Sequence, residues 1–381
     1  MGKKCDIILL SYESPGLLRK CVESVLDHTR VDSRLIIVDN GSKDKGVAGY
    51  LNSLHGNEKV SVEKIFSEDN AGFAAGMNKG LRFSQAPYVC LLNNDCVVTE
   101  GWLEELIGIA ESSQDIGLVN PQSNTFGSAP DRGATINDHA SLLREFSGKY
   151  VEIGHAIGFA CLIKREVLDK IGYLDEEYSG VCYEDTDYSL RALDAGYISV
   201  MAEGAYVYHK EQASRKDLPG KEEIYRNNRE RLETRWGKLL RLLVVGDPAE
   251  ADFMKKKYEL LRGLTRKRSF IDIFFGRRFR EKENLLVPER RKSPRHADIS
   301  VKEFPGRFLG PYVVWKVLTK KKRYDAVFLK RGPLYFFLNL LSPLHKAAVF
   351  ELCGGSIVKS EELGVFDLKA PSGIADKLRG A

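Results

Sequence analysis

The stretch Tyr88-Val89-Cys90-Leu91-Leu92-Asn93-Asn94-Asp95 passes directly from an apolar run into two carboxamides and a carboxylate. A short apolar run bounded by turn-forming residues is typical of a buried strand. The apolar runs Asp6 to Leu10 and Leu35 to Val38 are likewise followed by polar residues, Ser11 and Asp39. Since ligands bind beyond the carboxyl ends of strands in open α/β sheets, the pattern indicates a doubly wound fold and the edge that carries its chemistry.

Strand and helix patterns alternate outward from this stretch, which predicts βαβ units. The predicted strands are Asp6 to Leu10, Leu35 to Val38, Val60 to Phe66, Tyr88 to Leu92 and Gly117 to Val119. The predicted helices between them are Leu17 to Leu26, Val47 to Leu54, Ala74 to Phe83 and Trp102 to Glu111. We therefore predict an α/β fold with a doubly wound, mainly parallel sheet flanked by helices.

The length of 381 residues exceeds one ordinary domain, and 43% apolar with 29% charged residues is the composition of a folded chain with a sizeable core. The polar stretch Asn120 to Gly154 predicts a long loop over the active face, and a charged helix from Glu222 to about Leu243 is expected to close the first unit. We expect a first domain over residues 1–248 and a basic accessory region over residues 249–381, to which the sequence assigns no fold.

The accessory region begins with a basic segment, residues 255–295, which holds 15 Lys and Arg residues against 5 Asp and Glu residues. Such a run is typical of a solvated face, and it also suits attraction to an anionic membrane surface or to nucleic acid. Stacking aromatics and a nucleic-acid fold are not recognised in it, which disfavours nucleic acid. The apolar stretch Pro333 to Leu344 is too short to span a bilayer, so we predict a core or membrane-surface segment.

The seven cysteines are scattered without a C-x-x-C pair, which is typical of reduced thiols in a large chain. The first residues lead straight into a predicted strand, without the apolar region of a signal peptide. We therefore expect a cytoplasmic protein, with the basic segment as a candidate for peripheral association with the inner face of the membrane.

Two residues offer ligands for a metal ion. Asp95 presents oxygen at a strand end, where Mg²⁺ or Mn²⁺ could bridge it to the phosphates of a nucleoside diphosphate; a strand-to-turn cap is the structural alternative. His209 follows the strand-like run Ala205 to Tyr208 and offers an imidazole nitrogen, although a lone histidine is more often an ordinary one.

An acidic cluster, Glu184-Asp185-Thr186-Asp187, opens a predicted helix. The helix dipole keeps carboxylates at this end ionised, which suits a general base. Asp187 and Arg191 are four residues apart, so a structural ion pair is the favoured interpretation of Asp187. Asp39, taken alone, is more typical of an Asx turn than of a ribose contact. The glycines between Asn70 and Gly80 allow close backbone approach to a ligand or a neighbouring strand.

Together these motifs resemble those of the family 2 glycosyltransferases, especially the rhamnosyltransferase-like members of bacterial polysaccharide synthesis. The resemblance extends over roughly Lys4 to Leu240. Its segments are Val38-Asp39-Asn40-Gly41-Ser42, Asn70 to Gly80, Asn93-Asn94-Asp95 in the place of the D-x-D motif, Gly158 to Gly172, and Glu184 to Gly196.

The resemblance implies a GT-A fold and an inverting transfer of a sugar from a nucleoside diphosphate sugar to a hydroxyl of a glycan or lipid-linked acceptor. It implies that Asp95 and His209 hold a divalent metal, Mg²⁺ or Mn²⁺, that Asp185 is the catalytic base, and that Glu184 orients the acceptor. We expect the nucleotide sugar to be bound by Ser11, Tyr12, Glu13, Asp39, Asn70, Gly72, Asn78, Asn93 and Asn94. The first carboxylate of the D-x-D motif is Asn93 here, which removes one anionic metal ligand.

Two other functions share parts of this pattern. A sugar-phosphate nucleotidyltransferase would show a phosphate loop rich in Gly and Arg, which Ser11 to Gly16 lacks. A non-catalytic sugar-nucleotide-binding or scaffold protein remains an open alternative, although Asp95 and Asp185 argue against it.

Overall fold

The computed structural model describes residues 3–178, 180, 182–210, 220–246, 258, 260–277, 296–353, 357–367 and 369–380. The chain forms two compact units, Met1–Leu232 and Glu233–Ala381. Most of the basic segment 255–295 lies outside the described residues, which include only 258 and 260–277 of it. None of the helices in the described parts has the length and apolar character needed to cross a bilayer.

The first unit is built on one sheet of nine strands. They are β1 (Cys5–Ser11), β2 (Ser33–Asp39), β3 (Val60–Phe66), β4 (Tyr88–Asn93), β5 (Cys96–Val98), β6 (Ile116–Gln122), β7 (Tyr150–Ile153), β8 (Ala160–Lys164) and β9 (Ile198–His209). Their order is β3-β2-β1-β4-β8-β6-β9-β5, with β7 beside β9. Parallel pairing joins β3, β2, β1 and β4, whereas β8 runs antiparallel to β4 and β6. The predicted mainly parallel sheet is confirmed.

Helices cover both faces of this sheet. They are α1 (Pro15–His28), α2 (Lys45–Ser53), α3 (Phe73–Phe83), α4 (Trp102–Ser112), α5 (Ile136–Leu143), α6 (Arg165–Ile171), α7 (Glu184–Asp194) and α8 (Lys221–Trp236). Along β1, Ile7 and Leu9 pack into the core that contains α1, α2 and α4, while Ile8 packs into the core that contains α3, α6 and α7. Successive side chains of a strand point to opposite faces, so the apolar run Ile7 to Leu9 of β1 is covered on both faces of the sheet.

Two glycines bring α3 unusually close to β1. A Cβ at Gly76 would lie 2.5 Å from Leu10 Cδ1, and a Cβ at Gly80 would lie 2.4 Å from Ile8 Cγ2. The glycines spaced by four on one helix face therefore serve helix–sheet packing. This contact sets the start of α3 beside the carboxyl end of β1, where the predicted site lies.

The structure corrects two expectations about the chain after the central strands. The predicted loop Asn120 to Gly154 contains α5 and β7, and Thr135 with Asp138 forms a capping box at the start of α5. The predicted helix to Leu243 instead ends at Trp236. Gly237 follows it with φ +75°, a conformation that favours glycine and ends the helix.

The second unit is another layered α/β structure. Its strands are β10 (Leu240–Gly246), β11 (Ser269–Arg277), β12 (Ile299–Pro305), β13 (Ala326–Leu329), β14 (Ala348–Leu352), β15 (Ile357–Ser360) and β16 (Gly364–Asp367). Its labelled helices are α9 (Gly306–Thr319), α10 (Pro333–Leu340), α11 (Ser342–His345) and α12 (Pro371–Gly380). The strand order is β12-β11-β10-β13-β14-β15-β16, parallel from β12 to β14.

The division between the units lies before β10, whereas the expected boundary was residue 248. The run Leu240–Gly246 pairs with β11 and β13 and is buried along most of its length. A short, fully apolar run has no period that separates a buried strand from a buried helix, so its tertiary partners decide its conformation.

Candidate active site

The predicted metal-binding carboxylate lies beside the predicted histidine. Asp95 occupies the turn between β4 and β5, and His209 ends β9. Antiparallel pairing sets Cys96 of β5 opposite His209, which brings the neighbouring Asp95 close to the imidazole. Asp95 Oδ1 lies 3.2 Å from His209 Nε2, and the two residues are 8% and 7% exposed.

The short distance between Asp95 Oδ1 and His209 Nε2 fits two ligands of one cation better than a hydrogen bond between them. Within the described part of the chain, Asp95 Oδ1 is buried and has no hydrogen-bond partner, although Nε2 is near. A buried carboxylate oxygen without a donor is costly unless an opposite charge compensates it. Carboxylate oxygens suit Mg²⁺ and Mn²⁺, and imidazole nitrogen is a common metal ligand. Asn93 Oδ1, another buried oxygen without a partner among the described residues, belongs to the same strand end.

The Cys96 thiol belongs to the same cluster but is a poor ligand. Its sulfur lies within 4.8 Å of the Asp95 and His209 ligand atoms. It donates a hydrogen bond to the carbonyl of Phe159, at 3.4 Å. Burial raises the pKa of the Cys96 thiol well above its ordinary value. Since thiolates and not thiols bind metals, the chemistry favours the oxygen and nitrogen ligands.

His209 is held by two residues that the sequence analysis did not single out. Asn124 fixes its backbone: Asn124 Oδ1 accepts from the backbone N–H of His209 at 2.8 Å, and Asn124 Nδ2 donates to the His209 carbonyl at 2.9 Å. The ring of Phe159 stacks on the imidazole, with centroids 5.1 Å apart and planes 14° apart. Asn124 lies in a stretch without periodicity, and Phe159 adjoins an apolar strand, so neither carried a local signal.

The predicted base, Asp185, lies in the first turn of α7 with both oxygens oriented. Its Oδ2 accepts from the Gly158 N–H at 3.0 Å, and its Oδ1 accepts from the Thr186 N–H at 2.7 Å. These two bonds fix the orientation of the carboxylate at the start of the helix. Asp185 is half-buried, whereas Glu184 is 3% exposed. The arrangement presents a fixed carboxylate that retains lone pairs for a proton.

The predicted ion pair of Asp187 and Arg191 is confirmed. Asp187 is fully buried, and its Oδ2 lies 2.8 Å from Arg191 Nε. The guanidinium also donates to the carbonyls of Ile171 and Tyr173. Asp187 therefore fixes α7 against the preceding loop, and its role is structural.

Two consecutive residues connect Asp185 with the Asp95–His209 pair. Gly158 donates to Asp185, and Phe159 stacks on His209. Neighbouring Cα atoms are about 3.8 Å apart, so these two contacts bring the carboxylate and the imidazole to one part of the sheet edge. The Phe159 carbonyl also accepts from the Asn93 N–H at 2.9 Å, which ties the end of β4 to the same place.

A second part of the edge gathers the ends of β2 and the start of α3. Asp39 Oδ1 accepts from the Ser42 hydroxyl at 2.6 Å and from its N–H at 3.2 Å, which is the Asx-turn geometry expected of Asp39 alone. Asn40 Nδ2 donates to Asn70 Oδ1 at 2.9 Å and to the Gly72 carbonyl at 3.1 Å. Asp39, Asn70 and Gly72 are thus brought together through Asn40, which the sequence analysis did not assign.

The residues after β1 divide into two roles. Ser11 is buried, with no hydrogen-bond partner for its hydroxyl in the described residues, and Tyr12 is 39% exposed. Glu13, by contrast, accepts from the N–H groups of Lys43 and Asp44 through its two oxygens, at 2.8 and 3.0 Å. The Glu13 carboxylate therefore braces the start of α2, and its expected contact with the nucleotide sugar stays a prediction.

The expected contact of Asn78 with the nucleotide sugar is wrong, whereas that of Asn94 stays a prediction. The Asn78 amide is fully buried; it donates to the Leu174 carbonyl and to Glu176 and accepts from the Leu174 N–H. Its hydrogen bonds are used inside the fold, so it cannot face a nucleotide sugar. Asn94 lies half-buried in the β4–β5 turn beside Asp95, at the predicted edge.

Fold and site define an α/β unit with a candidate cation pair, an oriented carboxylate and a polar pocket edge at its strand ends. Residues 6–172 match the family model described as "Glycosyl transferase family 2". This part of the first unit is thus similar to the family 2 glycosyltransferases, and the predicted α/β class with a mainly parallel sheet and flanking helices is confirmed.

Two curated relatives and one solved structure illustrate the similarity. An uncharacterized protein, y4gI of Sinorhizobium fredii, is 29% identical over 249 residues, which cover 61% of this chain and 27% of that protein. The uncharacterized glycosyltransferase EpsJ of Bacillus subtilis is 22% identical over 226 residues, which cover 57% of this chain and 64% of that protein. The chain spans less than two thirds of both. The structure of GalNAc-T7 with UDP, GalNAc and Mn²⁺ aligns with 60% of this chain and 48% of its own, at a TM-score of 0.46 and 15% identity.

Proposed function

We propose that the first unit is an inverting glycosyltransferase that moves a sugar from a nucleoside diphosphate sugar to an acceptor hydroxyl. The observation that carries this proposal is the link through Gly158 and Phe159, which joins the oriented carboxylate of Asp185 to the Asp95–His209 pair. The family 2 match over residues 6–172 supports the same reaction class.

Each part of the edge has a role in this proposal. Asp95 and His209 hold a divalent cation, Mg²⁺ or Mn²⁺, which when bound neutralises charge on the diphosphate. Asp39, with the segment Asn70 to Gly72, binds the ribose and the base beyond the carboxyl ends of the parallel strands. Glu184 orients the acceptor beside Asp185.

Asp185 accepts the proton of the acceptor hydroxyl as that oxygen forms a bond to the anomeric carbon. The bond from the anomeric carbon to the diphosphate breaks, and its electron pair leaves with the nucleoside diphosphate. Attack in line with the leaving group inverts the anomeric centre. Because the acceptor attacks directly, a second, nucleophilic carboxylate is not required.

The finer assignments rest on the resemblance of the motifs. We propose a UDP- or dTDP-sugar as the donor, with dTDP-rhamnose as the first candidate of the rhamnosyltransferase-like subgroup. The proposed acceptor is a glycan or a lipid-linked saccharide of polysaccharide synthesis for the cell envelope.

A donor screen tests the proposed function. Purified protein is incubated with Mn²⁺ and a panel of nucleotide sugars, and released nucleoside diphosphate is measured with and without acceptor. We expect release from one donor class, at a rate that Asp185→Asn lowers by about 10² to 10⁴. Binding of a donor without turnover under any acceptor condition would instead identify a sugar-nucleotide-binding protein.

A further inference from the structure

The outer surface of one helical layer of the second unit is apolar. Of the fourteen large hydrophobic side chains that are exposed in the described residues, seven lie on α9, α10 and α11. They are Phe308, Trp315, Leu318, Phe336, Phe337, Leu340 and Leu344. Scattered exposed hydrophobic residues are ordinary, whereas a concentration in one layer marks an interaction surface.

The apolar residues form a stripe along each helix. On α9, Phe308, Trp315 and Leu318 recur at intervals of seven and three residues, which places them on one face. The opposite face of the same helix is also apolar, because Val313 and Val317 are buried against the sheet. A helix that is apolar on both faces is expected to be covered on both.

The stripes of these helices face the same side of the unit. Val313 and Val317 of α9 and Tyr335 and Leu338 of α10 belong to one core on one face of the sheet. Helix α11 contacts both α9 and α10 in this layer. The exposed side chains opposite this core therefore form one outer surface, which we name the α9–α11 surface.

The segments that follow the helices of the α9–α11 surface are basic. Residues 306–347 contain nine Lys and Arg residues and a single acidic residue, Asp325. Lys321, Lys322 and Arg323 are exposed after α9, and Lys346 is exposed after α11. Two copies of this chain docked through the surface would place these cations against each other, which disfavours a symmetric dimer.

We propose that the α9–α11 surface docks on an anionic lipid bilayer. Phe, Trp and Leu side chains enter the boundary between headgroups and acyl chains, while Lys and Arg bind anionic headgroups. Exposure and charge of the second unit carry this inference, so it is independent of the sugar transfer proposed for the first unit. The proposal places membrane docking on the α9–α11 surface and not on the basic segment 255–295.

Vesicle co-sedimentation of the full chain tests the docking. The test variant is Trp315→Ser with Leu340→Ser, whose side chains are 54% and 75% exposed. The matched control is Phe66→Ser with Leu142→Ser in the first unit, at 55% and 66% exposure. Both pairs remove exposed apolar side chains and leave the net charge unchanged.

We expect binding of the wild type to phosphatidylglycerol-containing vesicles at low salt and weak binding to pure phosphatidylcholine. The test pair should lower binding by about tenfold or more, while the control pair binds like the wild type. Lys321→Glu with Lys322→Glu should weaken binding at low salt only, which keeps the test informative if the apolar variant misfolds.

Three results would overturn the proposal. The first is a wild type that does not bind anionic vesicles. The second is a Trp315→Ser, Leu340→Ser variant that binds them like the control, which would leave the basic segment as the docking element. The third is self-association of the wild type without vesicle binding. If Trp315→Ser with Leu340→Ser abolishes it, a second protein molecule and not a membrane covers the surface.

Discussion

At the scale of single residues, the edge of the first sheet holds side chains proposed for catalysis next to side chains that stabilise the fold. Asp185 is held by backbone N–H groups on both oxygens, whereas its neighbour Asp187 is buried in an ion pair with Arg191. Two carboxylates two positions apart on one helix therefore have different environments and different expected effects on replacement.

Asp185→Asn should keep the fold and the donor affinity while turnover falls by about 10² to 10⁴, the usual contribution of a general base. The amide has nearly the shape of the carboxylate but cannot accept the acceptor proton. Turnover, donor binding and melting temperature are measured on the same samples. Asp187→Asn is the matched control, and we expect it to lower the melting temperature. Near wild-type turnover of Asp185→Asn would place the base elsewhere, with Glu184 as the next candidate.

Asp95→Ala and His209→Ala should each weaken Mn²⁺ binding, measured by calorimetry in the absence of donor. Each substitution removes one of the two side chains of the buried pair, whose Asp95 Oδ1 and His209 Nε2 atoms lie 3.2 Å apart. The exposed His55→Ala is the control for loss of an imidazole. If both variants bind Mn²⁺ and donor like the wild type, and chelation leaves turnover unchanged, the assigned cation site is wrong.

At the scale of secondary-structure elements, close contacts onto β1 position the site. Asp6 on β1 is fully buried and accepts two hydrogen bonds from Arg34 on β2, both at 2.9 Å, and two from the Gln85 and Ala86 N–H groups. The glycine face of α3 lies on the same strand. Changes at these contacts therefore test the packing of the elements apart from catalysis.

Gly80→Ala should destabilise the first unit by about 1 to 3 kcal/mol, because the added methyl group would lie 2.4 Å from Ile8 Cγ2. Gly108→Ala on α4 is the matched control, since no atom lies within 4 Å of its Cβ position. It should stabilise by about 0.5 to 1 kcal/mol through helix propensity. Urea unfolding followed by circular dichroism compares the two, and equal effects would contradict the close α3–β1 packing.

The Asp6 carboxylate should make stability sensitive to acid. Burial alone raises the pKa of Asp6, but the hydrogen bonds from Arg34, Ala86 and Gln85 outweigh it, so the folded pKa lies below its ordinary value. Its contribution is therefore complete above the unfolded pKa of about 3.9 and is lost as the pH falls through the folded pKa.

Asp6→Asn should cost about 3 to 5 kcal/mol at neutral pH, because it leaves Arg34 without its carboxylate. The difference from the wild type should shrink as the pH falls below about 4. Urea unfolding over a pH series measures both. A difference that stays constant down to low pH would show that Asp6 is not the titrating group.

At the scale of the whole molecule, the candidate catalytic residues and the surface proposed for membrane docking belong to different units. The first unit holds the candidate catalytic residues, and the second carries the α9–α11 surface and the described part of the basic segment. Each unit has its own sheet with a core on each face. Ligand binding and membrane docking can therefore be followed separately along one chain.

Donor and Mn²⁺ at about 100 times the dissociation constant should stabilise the ligand-bound unit by about 2.7 kcal/mol. Hydrogen exchange measured by mass spectrometry should report this as slower exchange at the strand ends of the first unit. Asp95→Ala at the same ligand concentrations should show no such protection. Protection confined to residues 240–360 would place the nucleotide sugar in the second unit and contradict the assignment.

The sequence by itself determined the α/β class, the central strands and helices of the first unit and the Asp187–Arg191 pair. These depend on local apolar patterns and on spacing within one helix, which the order of residues records. It also indicated the strand end at which Asp39 lies, the turn after β4 that holds Asp95, and the helix start that holds Asp185.

Only the tertiary structure decided which polar residues face the site. Asn78 resembles a ligand contact in sequence, yet it is fully buried and its hydrogen bonds are used by Leu174 and Glu176. Leu240–Gly246 is a strand because its neighbours are strands, and Phe159 reaches His209 because β8 and β9 lie in one sheet. The physical reason is that burial and hydrogen-bond partners come from residues distant in the chain, and local sequence patterns do not specify them.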